Sequence, residues 1–143
     1  VDAYFYFVGL QFGNRLTVLK DIDDTLLDVP LPRLIVQTLI ENAVEHGVAP
    51  AGGGCIQLQV FRQADHLVIE VLHSGKVLTQ TQIAQLSAML DDPKPTDGHL
   101  GIRNVNLRLK LIFGEKAGLS FSVDSHGNTV ATIHQPLQPS EPK

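Results

Sequence analysis

The chain has no tryptophan, a single cysteine and a single methionine among 143 residues. Cys55 alone cannot build a disulfide framework, and that fits a reducing compartment. No apolar run approaches the roughly 18 residues needed to span a bilayer, and no signal-peptide pattern opens the chain. Direct membrane contact from this segment is therefore not expected. Positive charge is also scarce: 11 Lys and Arg stand against 15 Asp and Glu, giving a net charge of -4. That balance argues against general affinity for nucleic acid or anionic lipid. Met89 is the only methionine and the chain starts at Val1, so it reads as a segment of a longer protein. What is present is ordinary globular composition, 43% apolar and 18% charged, enough for one domain with a real core.

Periodicity predicts the elements. DAYFYFVGLQFGN reads as the tail of a longer helix ending near Gly13, and RLTVLKDI alternates like a strand. A helix is expected from Pro32 to Gly47, with proline at its start and glycine at its end. AGGGCIQLQVFR and HLVIEVLH read as a hairpin joined by RQADH, followed by a modest helix in LTQTQIAQLSAML. DDPKPTDGHLG is rich in Pro, Gly and Asp and reads as a mobile loop. A strong helix from Gly101 to Gly114 should place Ile102, Val105, Leu109 and Ile112 on one face, and GLSFSVDS with TVATIHQP closes the chain as a strand pair. The order α, β, α, β, β, α, α, β, β fits an α/β sandwich, one mixed sheet with helices packed on one face. The domain would span 15–137, preceded at 1–14 by the end of an upstream helix and followed at 138–143 by a loose tail.

Within LIVQTLIENAVEHGV, apolar residues sweep most of the helix circumference, while Gln37, Glu41 and Glu45 share the remaining sector. Asn42 and His46, four apart, should project among Ile35, Leu39 and Ala43. Inward-facing polar groups need partners. They are either core residues bonded to backbone or the lining of a site.

LIVQTLIENAVEHG resembles the N-box of the LytS/YesM-type sensor histidine kinases, GHLGIRNVNLRLKLIFG resembles their second glycine box, and GNTVATIHQP resembles their closing Gly-Thr strand. The resemblance covers about residues 2–137 and implies the two-layer Bergerat sandwich of the GHKL ATPases, with ATP and Mg²⁺ as ligands. It makes Asn42 the Mg²⁺ ligand, through an amide oxygen suited to a hard ion that keeps its waters. Glu41 becomes the catalytic acid that orients or deprotonates the attacking group, or holds a metal-bound water. His46 faces phosphate or holds the helix end. Gly98, Gly101 and Arg103 lie by the phosphates at the start of the later helix, the segment from Lys76 to Leu100 forms the ATP lid, and Thr129 belongs to the closing strand. The family's first glycine box, Asp-x-Gly-x-Gly, is matched by His73, Ser74, Gly75, Lys76 and Val77. His73 thus replaces an aspartate that accepts a hydrogen bond from the adenine amino group, and Val77 replaces a glycine. A neutral imidazole can accept that bond, whereas imidazolium can only donate.

The resemblance implies a histidine kinase whose phosphoacceptor lies elsewhere, because all six histidines fall inside the ATP-domain pattern. The partners would be a dimerisation and phosphoacceptor domain of the same protein and a response regulator, with no nucleic acid. The segment would be the cytoplasmic part of a membrane-anchored sensor. Two alternatives are a degenerate Bergerat domain serving as a signalling or interaction module, which His73 and Val77 favour, and a stand-alone GHKL ATPase or anti-sigma-type serine kinase.

Overall fold

The computed structural model describes residues 6, 9–23, 25, 33–75, 79–91, 100–114 and 117–136. Helical residues 9–12 lead through a 3₁₀ turn, Gly13–Arg15, into strand β1, Leu16–Ile22. Helix α1 is Arg33–Ala43, continued by a π-helical segment, Val44–Val48, and a last turn, Ala49–Ala51. The hairpin β2, Gly54–Gln63, and β3, His66–His73, is followed by α2, Gln80–Asp91, and α3, Leu100–Phe113. The hairpin β4, Gly118–Val123, and β5, Thr129–Pro136, completes the fold.

The five strands form one mixed sheet in the order β1-β2-β3-β5-β4. β1 runs parallel to β2, reached through α1, and every other neighbour pair is antiparallel. Period-two alternation puts Ile56, Leu58 and Val60 of β2, Leu67, Ile69 and Val71 of β3, and Ala131 and Ile133 of β5 on the buried face. There they meet Ile35, Leu39, Ile40 and Ala43 of α1 and Val105, Leu109 and Phe113 of α3. Of the alternate positions Gln57, Gln59, Glu70, Ser120 and Ser122 are polar, while Val68 and Val130 are buried on that face as well. The expected architecture is therefore the observed one.

One detail of α3 differs from expectation. On α3, Ile112 is 48% exposed and Phe113 is buried instead. Positions seven and eight after Val105 are both near the core-facing direction, and the larger aromatic ring takes it because it buries more apolar area. At the β4–β5 turn, Asp124 accepts hydrogen bonds from the backbone N–H of His126 and of Asn128, each at 2.9 Å. Those bonds, Asn128's foremost, hold its carboxyl below the usual aspartate range.

Candidate functional site

The helix expected to stop at Gly47 does not stop there. It remains helical to Ala51, and the left-handed residue that ends it is Gly52, with φ 79°. Pro50 explains the altered path. It has no N–H to offer the carbonyl four residues back, and its ring would clash there. The turn just before it widens to the i→i+5 pattern over Val44–Val48.

Widening changes which residues face inward. His46, expected beside Asn42, is exposed, because a wider turn advances fewer degrees per residue and breaks their four-residue phase. Asn42 is half-buried, and Glu41 is exposed, its Oε1 accepting a hydrogen bond from Gln37 Nε2 at 3.1 Å. Gly47 is buried and lies directly against the His73 ring: a Cβ at Gly47 would overlap Nδ1 and Cε1 of the imidazole. The glycine therefore serves a close approach of helix and side chain. It is not a cap.

His73 ends β3 facing the helices, 7% exposed, and its register partner on β5 is Thr129, 2% exposed. Nδ1 of His73 lies 3.0 Å from the Ser74 carbonyl oxygen. Burial pushes the His73 pKa down, partly opposed by the bond to Ser74 and reinforced by repulsion from His46. The ring is accordingly neutral near pH 7, and because a carbonyl can only accept, the proton sits on Nδ1.

The turn after β3 is clamped from both sides. Ser74 N–H donates to the Cys55 carbonyl at 3.0 Å, and Ser74 Oγ accepts from the Cys55 N–H at 2.8 Å. Gly75 has φ 94°, and a Cβ there would come within 2.7 Å of the Gly47 carbonyl oxygen. The turn and the π segment can pack this closely only with glycine at both positions.

The first turn of α3 lies toward the same end of the sheet. α3 leads through a short connection into β4, which runs back alongside it, so its first turn, with Gly101 and Arg103, lies toward the Val123 and Thr129 end. Val77, Gly98 and the 138–143 tail lie outside the described residues. Among the described residues no three His, Cys, Asp or Glu side chains converge as a metal cluster. The donor chemistry of Asn42 and Glu41 nevertheless suits Mg²⁺, which needs few protein ligands beside phosphate and water. A groove of about 480 Å³ between α1 and α3 is lined by described residues including Ile35, Thr38, Asn104 and Arg108, none of them a candidate.

One important side chain carried no signal in the sequence. Asn106 is 3% exposed, its Oδ1 accepts from Leu119 N–H at 2.9 Å and its Nδ2 donates to the Leu90 carbonyl at 3.3 Å. It ties α2, α3 and β4 together. By contrast, the π segment had a legible cue in Pro50, three residues beyond Gly47.

The sequence profile of the histidine kinase-, DNA gyrase B-, and HSP90-like ATPases matches residues 27–139. The chain belongs to this family. As a histidine kinase-type ATPase domain it binds nucleotide. It is 35% identical to YwpD of Bacillus subtilis over its whole length, covering 50% of that protein. It is 29% identical to the sensor histidine kinase/phosphatase LytS of Staphylococcus aureus, over 90% of this chain and 22% of LytS. The chain thus spans half or less of these relatives. The catalytic domain of histidine kinase ThkA shares the fold, with a TM-score of 0.71 at 15% identity, covering 96% of this chain and 89% of that one. ThkA has also been crystallised in complex with the response regulator TrrA. No described helix of this ATPase domain is long and apolar enough to cross a membrane.

Proposed function

We infer that this domain binds ATP with Mg²⁺ and donates the γ-phosphate to a histidine on a dimerisation domain of the same protein, from which a response regulator takes it. What supports this reading is the family match over residues 27–139, together with the π segment of α1 packed on His73 at the end of β3, where Gly47 and Gly75 meet it and Thr129 is in register. Phosphoryl transfer asks mainly for positioning and charge stabilisation. Asn42 and phosphate oxygens would hold Mg²⁺, whose chemistry is to neutralise the triphosphate charge. Glu41, exposed one residue before Asn42, orients the attacking imidazole or takes its proton. The opening turn of α3 would offer backbone N–H groups to phosphate, the role that the resemblance gives Gly101 and Arg103. His46, exposed on the π segment, would be a further contact to phosphate, as the resemblance implies.

The likeness to LytS supports a kinase over a non-catalytic signalling module. The ATP-binding unit is 15–137, and its partners are the phosphoacceptor domain and a response regulator, on the cytoplasmic side where ATP is available.

The test is calorimetry with Mg-ATP on the wild-type chain and on Asn42→Ala. Wild type should bind, and the variant should lose Mg-dependent binding while its circular dichroism and melting curve remain those of the wild type. Unchanged binding would remove Asn42 from the metal site. In γ-labelled ATP the chain alone should acquire no acid-labile, alkali-stable label, and label should appear on the dimerisation domain when that is supplied.

A further inference from the structure

Three glycines in a row, Gly52, Gly53 and Gly54, separate the end of α1 from β2, and all three have positive φ, at 79°, 145° and 147°. Gly52 ends the helix. The other two do something that a helix end does not require. A Cβ at Gly53 would come within 2.5 Å of the Arg15 carbonyl oxygen and 2.7 Å of the Arg15 Cβ, and a Cβ at Gly54 within 2.6 Å of Ser74 Oγ. Any other residue at either position would push its neighbour away. Two remote pieces of the chain therefore close on this loop: the residue that leads into β1, and the turn after β3.

The loop is tied to the π segment as well, since the Gly53 N–H donates to the Val48 carbonyl at 3.0 Å. Through Gly54 it reaches Ser74, whose Oγ and N–H are both bonded to Cys55, and the next residue, Gly75, rests on the Gly47 carbonyl beside the His73 ring. A series of close contacts thus runs from Arg15 to the Gly47, His73 and Gly75 cluster. It passes almost wholly through backbone, so little in it can absorb a displacement.

Arg15 is itself held by the segment before it. Phe12 is 8% exposed and belongs to the hydrophobic core, whereas Leu10 is 70% exposed. Arg15 Nε donates to the Phe12 carbonyl at 3.2 Å, and its guanidinium lies 5.7 Å from the centre of the Phe12 ring, within reach of a cation–π attraction. The Leu16 N–H closes the 3₁₀ turn on the Gly13 carbonyl. A single aromatic anchor therefore seats the incoming chain. Such a side chain is either packed in the core or out of it, the kind of two-state element through which coupling travels.

We propose that this seat is a regulatory contact: with Phe12 in the core, Arg15 backs the glycine loop and holds the turn after β3 against the π segment, and withdrawing Phe12 loosens that turn and weakens nucleotide binding. The inference rests on the nucleotide-binding reading of this end of the sheet, and adds how a domain attached ahead of Phe12 acts on it. Linkage makes the effect reciprocal, so nucleotide draws the incoming chain into its seat.

Calorimetry with Mg-ADP and amide NMR spectra on this chain provide the test. Phe12→Ala should weaken Mg-ADP binding by about fivefold or more, and should displace the Ser74 and Gly75 amide resonances before any ligand is added. Arg15→Ala keeps the Phe12 ring but loses the bond and the cation, and should do both in smaller measure. Leu119→Ala removes a buried side chain of β4, at the opposite edge of the sheet from β1. It should lower stability while leaving those two resonances, and affinity in the folded protein, as in wild type. In wild type, Mg-ADP should slow hydrogen exchange at the Leu16 N–H. Wild-type affinity with unmoved resonances in Phe12→Ala, an equal loss of affinity in Leu119→Ala, or Leu16 exchange indifferent to Mg-ADP would overturn the proposal. Should Phe12→Ala not fold, Arg15→Ala and the exchange rate decide in the same way. If wild type binds no Mg-ADP, the nucleotide-binding reading fails and the regulatory claim goes with it, whereas the resonances of Phe12→Ala report separately whether seat and turn are coupled.

Discussion

Of the polar side chains buried in this fold, Asn106 and His73 are used differently. Asn106 spends both ends of its amide on backbone groups of two other elements, Leu90 and Leu119. His73 commits Nδ1 to the carbonyl of its own chain neighbour, in a setting made by glycines at 47 and 75. A side chain consumed by backbone partners from separate elements is a pin between them. One whose orientation is fixed locally, by its own neighbour and by glycines against its ring, does not tie elements together in that way. The contrast separates stability from recognition, and each side of it can be tested.

The largest effect on stability should come from the pin. Asn106→Leu strands the Leu119 N–H and the Leu90 carbonyl in the core, which costs about 2–3 kcal/mol. Denaturant melts should show that loss, while nucleotide affinity in the folded protein stays as in wild type. A matching loss of affinity would mean that the two regions are coupled. Gly47→Ala should come next. Alanine in a helix gains about 1 kcal/mol over glycine, but overpacking against the His73 ring costs about 1–3 kcal/mol, so the net change is a destabilisation of about 1 kcal/mol. Unlike Asn106→Leu, this variant should also weaken nucleotide binding, because the ring and the end of β3 are displaced. Combining Gly47→Ala with His73→Ala should recover the stability lost to the clash, and a double-mutant cycle measures that coupling.

Proton linkage gives a third, smaller effect. The folded-state pKa of His73 lies below its unfolded value of about 6.5. The unfolded chain therefore takes up the proton first as pH falls. The stability owed to a neutral His73 is complete above about pH 6.5 and is lost as pH drops from there toward the folded pKa. Adenine affinity should decline in the same direction, since imidazolium cannot accept. Melts of His73→Leu between about pH 5 and 7.5 should lack this component. An unchanged pH slope would show that other groups carry it. The smallest effect belongs to the residue that periodicity placed in the core and the fold did not. Ile112→Lys should shift stability by no more than about 0.5 kcal/mol, since Ile112 is half-exposed.

Most of the fold was legible because it rests on local chemistry. Alternation along HLVIEVLH and TVATIHQP, the apolar sweep of α1, and the turn residues around Asp124 act within a few positions of each other, so the strands, helices and sheet class could be read directly. Glu41, Asn42 and the Gly101 turn were proposed through motifs that keep their spacing in the chain. What the sequence could not decide were contacts between distant segments. Gly47 looked like a helix end because glycine near the close of an apolar run usually is one. Its actual role depends on a ring arriving from β3, 26 positions later in the chain. Asn106 matters only because β4 turns back beside α3. The choice of Phe113 over Ile112 depended on which side chain better filled the space between α3 and the sheet. Residue type and spacing determined the elements and named the family. Tertiary packing alone decided which polar atoms are consumed by the fold, and so which remain to read a ligand.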